Sequence, residues 1–139
     1  MSASEPLNIL VVEDDVVDAM NIRRAFEKVR LSNPLFFAKD GVEGLEMLRG
    51  EAMPKARRLV LLDINMPRMN GIEFLRELRT DPALKATPVV VLTTSNHDRD
   101  RFDAFDLNVA GYLLKPVTFT DFVDVMAALN HYWTLVEFP

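Results

Sequence analysis

The sequence predicts an α/β protein, a doubly wound sheet of five parallel strands in the order 2-1-3-4-5. Three observations lead there. Five short apolar runs alternate with five stretches of helical apolar spacing. The connections between them are short, as right-handed crossovers require. The runs at residues 59–62 and 89–92 are apolar without alternation, the pattern of strands covered on both faces.

Residues 7–12, LNILVV, form the first strand and end in three acids, Glu13, Asp14 and Asp15. Val16, Ala19, Ile22, Phe26 and Val29 then fall on one helical stripe. Asp14 or Asp15 is placed to cap that helix, and Asp18 suits its positive first turn. Asn33-Pro34 interrupts, and residues 35–38, LFFA, are the second strand. Asp40-Gly41 opens a short helix with Val42, Leu45 and Leu48 inward and Gly50 at its end. Residues 51–58, EAMPKARR, read as a solvated loop whose Lys55, Arg57 and Arg58 form a wet basic face.

The third strand, residues 59–62, runs into a single carboxylate, Asp63, with Ile64 after it. Pro67 stops any ladder because it has no N–H, and Asn70-Gly71 supplies turn chemistry. Ile72, Leu75 and Leu78 line the third helix, closed by Thr80-Asp81-Pro82. Pro88 leads into the fourth strand, which ends in Thr93-Thr94-Ser95. Residues 98–107 are helix-like but thinly apolar, with Phe102, Phe105 and Leu107 among acids and arginines, and Asn108 fits a left-handed terminus. The fifth strand, residues 111–114, ends at Lys115-Pro116. Thr118 and Asp121 have capping-box spacing. Phe122, Val125, Leu129 and Trp133 give the last helix its core stripe, with Phe119, Val123 and Met126 as a second apolar set.

Composition narrows the function classes. The 139 residues suit one domain, residues 1–139, with a core at about 7–131 and an extension at 132–139. A net charge of −5 argues against a nucleic-acid surface as the main business. No apolar run is long enough to span a bilayer, and the N-terminus lacks the pattern of a secretory signal. With no cysteine there are no disulfides or thiolate metal sites, so a cytoplasmic setting is expected.

In the predicted strand order, the carboxyl ends of strands one, three, four and five converge on one edge, where open α/β sheets bind ligands. Strand one delivers Glu13 and Asp14 there, strand three Asp63, strand four Thr93 and strand five Lys115. Three carboxylates in one crevice repel each other, and a hard divalent cation with oxygen ligands, Mg²⁺, relieves that. A hydroxyl and a compact ammonium opposite the acids suit a phosphoryl group, whose charge is spread over three oxygens during transfer. Asp63 would be the nucleophile, becoming an aspartyl phosphate. Each residue also has a plainer reading: Asp14 a cap, Asp63 a loop acid, Thr93 a strand-end hydroxyl, Lys115 a loop lysine, Tyr112 a packed aromatic. Their coincidence on separate strand ends favours the chemical one.

Four segments, ILVVEDD (residues 9–15), LVLLDINMPRMNG (59–71), PVVVLTT (88–94) and AGYLLKP (110–116), resemble the receiver domain of two-component response regulators, a flavodoxin-like fold. The resemblance covers nearly the whole chain and implies a phosphoacceptor signalling protein rather than an enzyme acting on free substrates. It implies Asp63 as the acceptor. Asp14, Asp63 and the backbone carbonyl of Asn65 would hold Mg²⁺, and Glu13 would act on it through water. Thr93 and Lys115 would contact the phosphoryl oxygens, Tyr112 would turn inward as Thr93 closes on the phosphate, and Lys115-Pro116 would be cis. Glu13 stands where Asp is frequent, and Thr94 where a smaller residue is common. Asn65 and Ser95 lie at positions that tune dephosphorylation in the family.

The resemblance further implies a sensor histidine kinase as donor. No second domain follows the receiver pattern, so signalling is expected to pass through protein contact rather than direct contact with nucleic acid or membrane. The tail's Trp133, Leu135, Val136 and Phe138, with the second apolar set of the last helix, suggest a homodimer through helix four, strand five, helix five and the tail; folding back of the tail is the alternative. The aromatic-ended extension and VVVLTTS also resemble stand-alone regulators of phytochrome-type histidine kinases. A haloacid-dehalogenase-type phosphotransferase would want a second Asp at Asn65. A flavodoxin-like cofactor carrier would not place Glu13-Asp14-Asp15 against a phosphate.

Overall fold

A computed structural model describes residues 6–139. Strand β1 (Asn8–Val12) leads to α1 (Val16–Lys28), β2 (Leu35–Ala38) to α2 (Gly41–Arg49), and β3 (Arg58–Leu62) to α3 (Gly71–Thr80). Strand β4 (Val89–Thr93) leads to α4 (Asp98–Asp106), and β5 (Gly111–Leu114) to α5 (Phe119–Trp133). All pairings are parallel and the order is β2-β1-β3-β4-β5, as the sequence predicts. Register aligns the strand ends: Val12 pairs with Leu62, Leu62 with Val91, and Thr93 with Leu114. The residues that follow these pairs therefore share one edge.

Successive side chains of the inner strands go to opposite faces. Ile9, Val11, Leu59, Leu61, Val90 and Leu92 pack with Ile22 and Phe26 of α1 and Phe122 and Met126 of α5. Leu10, Val12, Val60, Leu62, Val89 and Val91 pack with Leu45 of α2, Phe74 and Leu75 of α3 and Ala104 of α4. Burial on both faces is why these strands read as unbroken apolar runs, and each large side chain so buried contributes about 1.5–3 kcal/mol.

The helix starts are set by local chemistry. Asp15 caps α1 by accepting from the Asp18 amide, Asp40 caps α2, and Asn70 with Glu73 forms a reciprocal capping box on α3. Thr118 caps α5 by accepting from the Asp121 amide. Asn108 closes α4 with φ of 61°, the left-handed terminus expected of it.

Several expectations are corrected. Arg58 is no wet loop residue: it begins β3 and is buried. Its guanidinium donates to the carbonyls of Leu48 at 2.9 Å, Met53 at 3.3 Å and Pro54 at 2.6 Å, satisfying an orphan carbonyl in the last turn of α2 and two in the loop after it. Val16 is exposed, because the first turn of α1 overhangs the strand ends, and Ala25 takes a core place instead. In α5, Met126 is fully buried and Val125 only half-buried, a rotation of the stripe set by packing against α1. The turn chemistry of Asn70-Gly71 takes the form of a helix start, with Asn70 (φ −73°) the cap and Gly71 the first residue of α3.

The Lys115–Pro116 bond is trans, as no described residue has a cis peptide. In that geometry the Lys115 amide still donates to the Thr93 carbonyl at 2.8 Å, so β5 completes its ladder with the isomer that X–Pro bonds ordinarily favour. The tail folds back in part. Trp133 stacks on Phe26 with ring centroids 6.0 Å apart, Phe138 packs on the α1–α5 core, and the Arg57 amide donates to the Pro139 carbonyl at 2.8 Å. Leu135 and Val136 stay exposed. No helix among the described residues is long and apolar enough to cross a membrane.

Candidate functional site

The edge where the strands end holds every side chain expected there. Glu13 and Asp14 follow β1, Asp63 follows β3, Thr93 closes β4 and Lys115 follows β5. One carboxylate oxygen from each of Glu13, Asp14 and Asp63 lies within 4.8 Å of the others. Asp63 is 3% exposed and both its oxygens have partners. Its Oδ1 accepts from Thr93 Oγ1 at 2.6 Å and from the Asn65 amide at 3.2 Å, while Oδ2 faces Lys115 Nζ at 3.3 Å.

The lysine is the charge centre. Its Nζ sits 2.7 Å from Glu13 Oε1, 2.7 Å from Asp18 Oδ2 and 3.3 Å from Asp63 Oδ2. Burial works against the Lys115 ammonium, but its hydrogen bonds to Asp18 and Glu13, with the charges of Glu13 and Asp63, outweigh it and lift its pKa above the ordinary lysine value. Burial, only partly offset by the bond to Lys115, pushes the Glu13 carboxyl up to about 8, and the nearby charge of Asp63 pushes the same way. The Glu13 Oε2 also accepts from the Asp15 amide at 3.0 Å.

Thr93 is fully buried and links the acid to the next loop. Its hydroxyl donates to Asp63 and accepts from the Ser95 amide at 3.2 Å and the Ile64 amide at 3.4 Å. Tyr112 lies half-buried and inward, its hydroxyl donating to the Ser95 carbonyl at 3.0 Å. Thr93 thus already touches the acid, and Tyr112 already braces the segment after it. Asn65 is exposed; its side-chain amide reaches Thr94 Oγ1 at 3.5 Å. A cleft of about 490 Å³ opens beside these groups, lined by Asp14, Asn65, Met66, Pro67 and Asp100 among others.

The site is positioned by close backbone packing as well as by strand ends. Gly71, first residue of α3, donates its amide to the Ile64 carbonyl at 2.9 Å and lies so near that a Cβ there would stand 2.5 Å from the Asp63 carbonyl oxygen.

Asp18 was legible in the sequence only as a first-turn acid. The signal that could have found it is its spacing, one helical turn beyond Asp14 and thus above the same strand end. Asp100, which lines the cleft and accepts from the Ser95 hydroxyl at 2.5 Å, carried no such signal.

A five-stranded parallel sheet with this acidic edge defines a receiver, and the comparisons agree: the response regulator receiver domain family matches residues 9–127. The chain belongs to that family, a class of signalling proteins. Among its relatives, the probable methanogenesis regulatory protein FilR2 of Methanothrix harundinacea (strain 6Ac) is 38% identical over 138 residues, spanning 96% of this chain and 87% of that protein. The crystal structure of the phosphorylated cyanobacterial phytochrome response regulator RcpA superposes with a TM-score of 0.86 at 33% identity, covering 96% of this chain and 99% of that one. The Mn²⁺-bound form of response regulator Rcp1 superposes with a TM-score of 0.83 at 30% identity, with coverage of 96% and 99%.

Proposed function

We propose that this receiver takes a phosphoryl group onto Asp63 from the phosphohistidine of a sensor histidine kinase, in a Mg²⁺-dependent reaction, and signals through protein contact. The observation that carries this is the convergence of Thr93 and Lys115 on the two oxygens of Asp63, beside the carboxylates of Glu13 and Asp14.

In the transfer step an Asp63 carboxylate oxygen attacks phosphorus, an O–P bond forms and the donor's N–P bond breaks, with the imidazole keeping the electron pair. Because Asp63 Oδ1 already accepts two hydrogen bonds and Oδ2 faces the ammonium, one of these contacts opens as the group enters. Thr93 and Lys115 then donate to phosphoryl oxygens, where negative charge gathers. In the return step a water oxygen attacks phosphorus, the carboxylate leaves, and the proton goes to solvent.

The donor set fits a hard divalent cation. Glu13, Asp14 and Asp63 offer closely spaced carboxylate oxygens, the donor type that a hard divalent cation takes. Asp14, Asp63 and the Asn65 carbonyl would hold Mg²⁺, with Glu13 acting through water; the ion's charge would offset that of the phosphoryl oxygens. Rcp1, seen with Mn²⁺, supports this choice.

RcpA supports a phytochrome-type kinase as the donor. On this reading the chain works beside that donor in the cytoplasm. The Thr93–Ser95–Tyr112 chain of contacts passes the event to α4, β5 and α5. On that side Phe102, Phe105, Leu114 and Val117 are exposed, and with Leu135 and Val136 they suit a homodimer rather than nucleic acid or membrane. Trp133 and Phe138 belong to the protomer's own core and drop out of that interface.

The test is phosphotransfer from the host's histidine kinases to the chain and to Asp63→Asn. Label is expected on the former, with Mg²⁺, and absent from the latter; equal label on both refutes the acceptor. For the dimer, sedimentation of the chain is expected to give twice the mass and Leu114→Glu the monomer; monomer in both ends that part.

A further inference from the structure

The four acids of the site are not equivalent. Glu13, Asp14 and Asp63 place oxygens within reach of one another, whereas Asp18 stands apart from that trio and meets the site through the ammonium. Its carboxylate takes one of the two shortest contacts to Lys115, 2.7 Å, against 3.3 Å for Asp63. Lys115 is buried, so its N–H groups cannot trade freely with water, and an ammonium has only three to give.

Asp18 is also held in place. It lies in the first turn of α1, its amide is capped by Asp15 Oδ1 at 3.0 Å, and α1 is anchored beneath by Ile22, Ala25 and Phe26. A carboxylate carried on a packed helix draws the flexible lysine stem toward α1. When a phosphoryl group occupies Asp63, a fourth acceptor enters the reach of three donors, and one existing contact must weaken.

We propose that Asp18 is a positioning residue for Lys115, holding the ammonium back from Asp63 and competing with the phosphoryl group for it. This deepens the phosphoacceptor reading and rests on it. Asp18 sets how readily the lysine swings onto the phosphoryl oxygens, and therefore how tightly the phosphorylated state is held. A plain ion pair tying α1 to the end of β5 would instead affect stability alone.

The test uses beryllofluoride, which stands in for the phosphoryl group on Asp63, at saturating Mg²⁺, together with the ammonium ¹H–¹⁵N resonance of Lys115 in the metal-free protein. Asp18→Ala is expected to tighten beryllofluoride binding by about threefold to tenfold, on the scale of one competing charge-assisted hydrogen bond. Asp18→Asn, isosteric and safe for the fold, is expected to move the ammonium resonance and to tighten binding by less. Unchanged resonance and affinity in both variants, with only the urea midpoint altered, overturns the proposal, and so does weaker binding. Failure of the unsubstituted chain to bind beryllofluoride with Mg²⁺ overturns the phosphoacceptor reading itself. That outcome is told apart because it appears before any substitution is made.

Discussion

Gly71→Ala should damage the site from behind. A Cβ at Gly71 would lie 2.5 Å from the Asp63 carbonyl oxygen and 2.7 Å from the Ile64 Cα, both backbone atoms that cannot rotate away. Relief requires α3 to retreat or the Asp63–Ile64 segment to shift, an overpacking cost of about 1–3 kcal/mol. Loss of unfolded-chain entropy returns about 0.4–1 kcal/mol, leaving a net destabilisation of about 0.6–2 kcal/mol. With an m-value of about 2 kcal/mol per molar urea, the midpoint falls by about 0.3–1 M. Gly111→Ala is the control, since the nearest atom to its added Cβ is Val90 Cγ1 at 4.0 Å, and it should be neutral or slightly stabilising. Displacement of Asp63 should also weaken Mg²⁺-dependent beryllofluoride binding by about tenfold or more, while Gly111→Ala binds normally. Equal urea midpoints and equal affinities for the two variants would refute the claim that this contact seats the acceptor.

The remaining predictions concern pH and the tail. Glu13 holds its proton in the folded protein up to about pH 8, against 4.5 in the unfolded chain, so its contribution to stability is full below about 4.5 and is lost as pH rises through 8. Metal-free protein should therefore lose on the order of a few kcal/mol across that window, and saturating Mg²⁺, which favours the carboxylate, should flatten the loss; urea midpoints independent of pH in metal-free protein would contradict it. Trp133→Ala removes a buried ring stacked on Phe26 and should cost about 3–5 kcal/mol in urea unfolding, and a loss under about 1 kcal/mol would mean that the tail is not part of the core.

The residues that sequence spacing located best are those that simply follow an apolar run. Asp63 after LVLL, Thr93 at the end of VVVL and Lys115 after GYLL are fixed by where a strand stops, and strand ends in a parallel sheet must meet at one edge. Asp15, Asn70 and Thr118 were legible as caps or turn residues for the same reason, since a cap is a contact within a few positions of chain. Arg58 misled because its charge reads as solvated, while its guanidinium turns inward onto the carbonyls of Leu48 in the last turn of α2 and of Met53 and Pro54 in the loop that follows, a closure that charge alone does not announce. Val125 and Met126 differ by one position, and the angle at which α5 rests on α1 chooses between them.

By itself the sequence determined the alternation of strands and helices, the strand order, and the identity of the acids, hydroxyl and ammonium at the sheet edge, because each follows from periodicity and position along the chain. Tertiary structure alone decided that Asp18 reaches Lys115 across 97 residues, that Gly71 presses on the Asp63 backbone, that Lys115–Pro116 is trans and that Trp133 is core. Those facts depend on distances between elements, which no local pattern encodes.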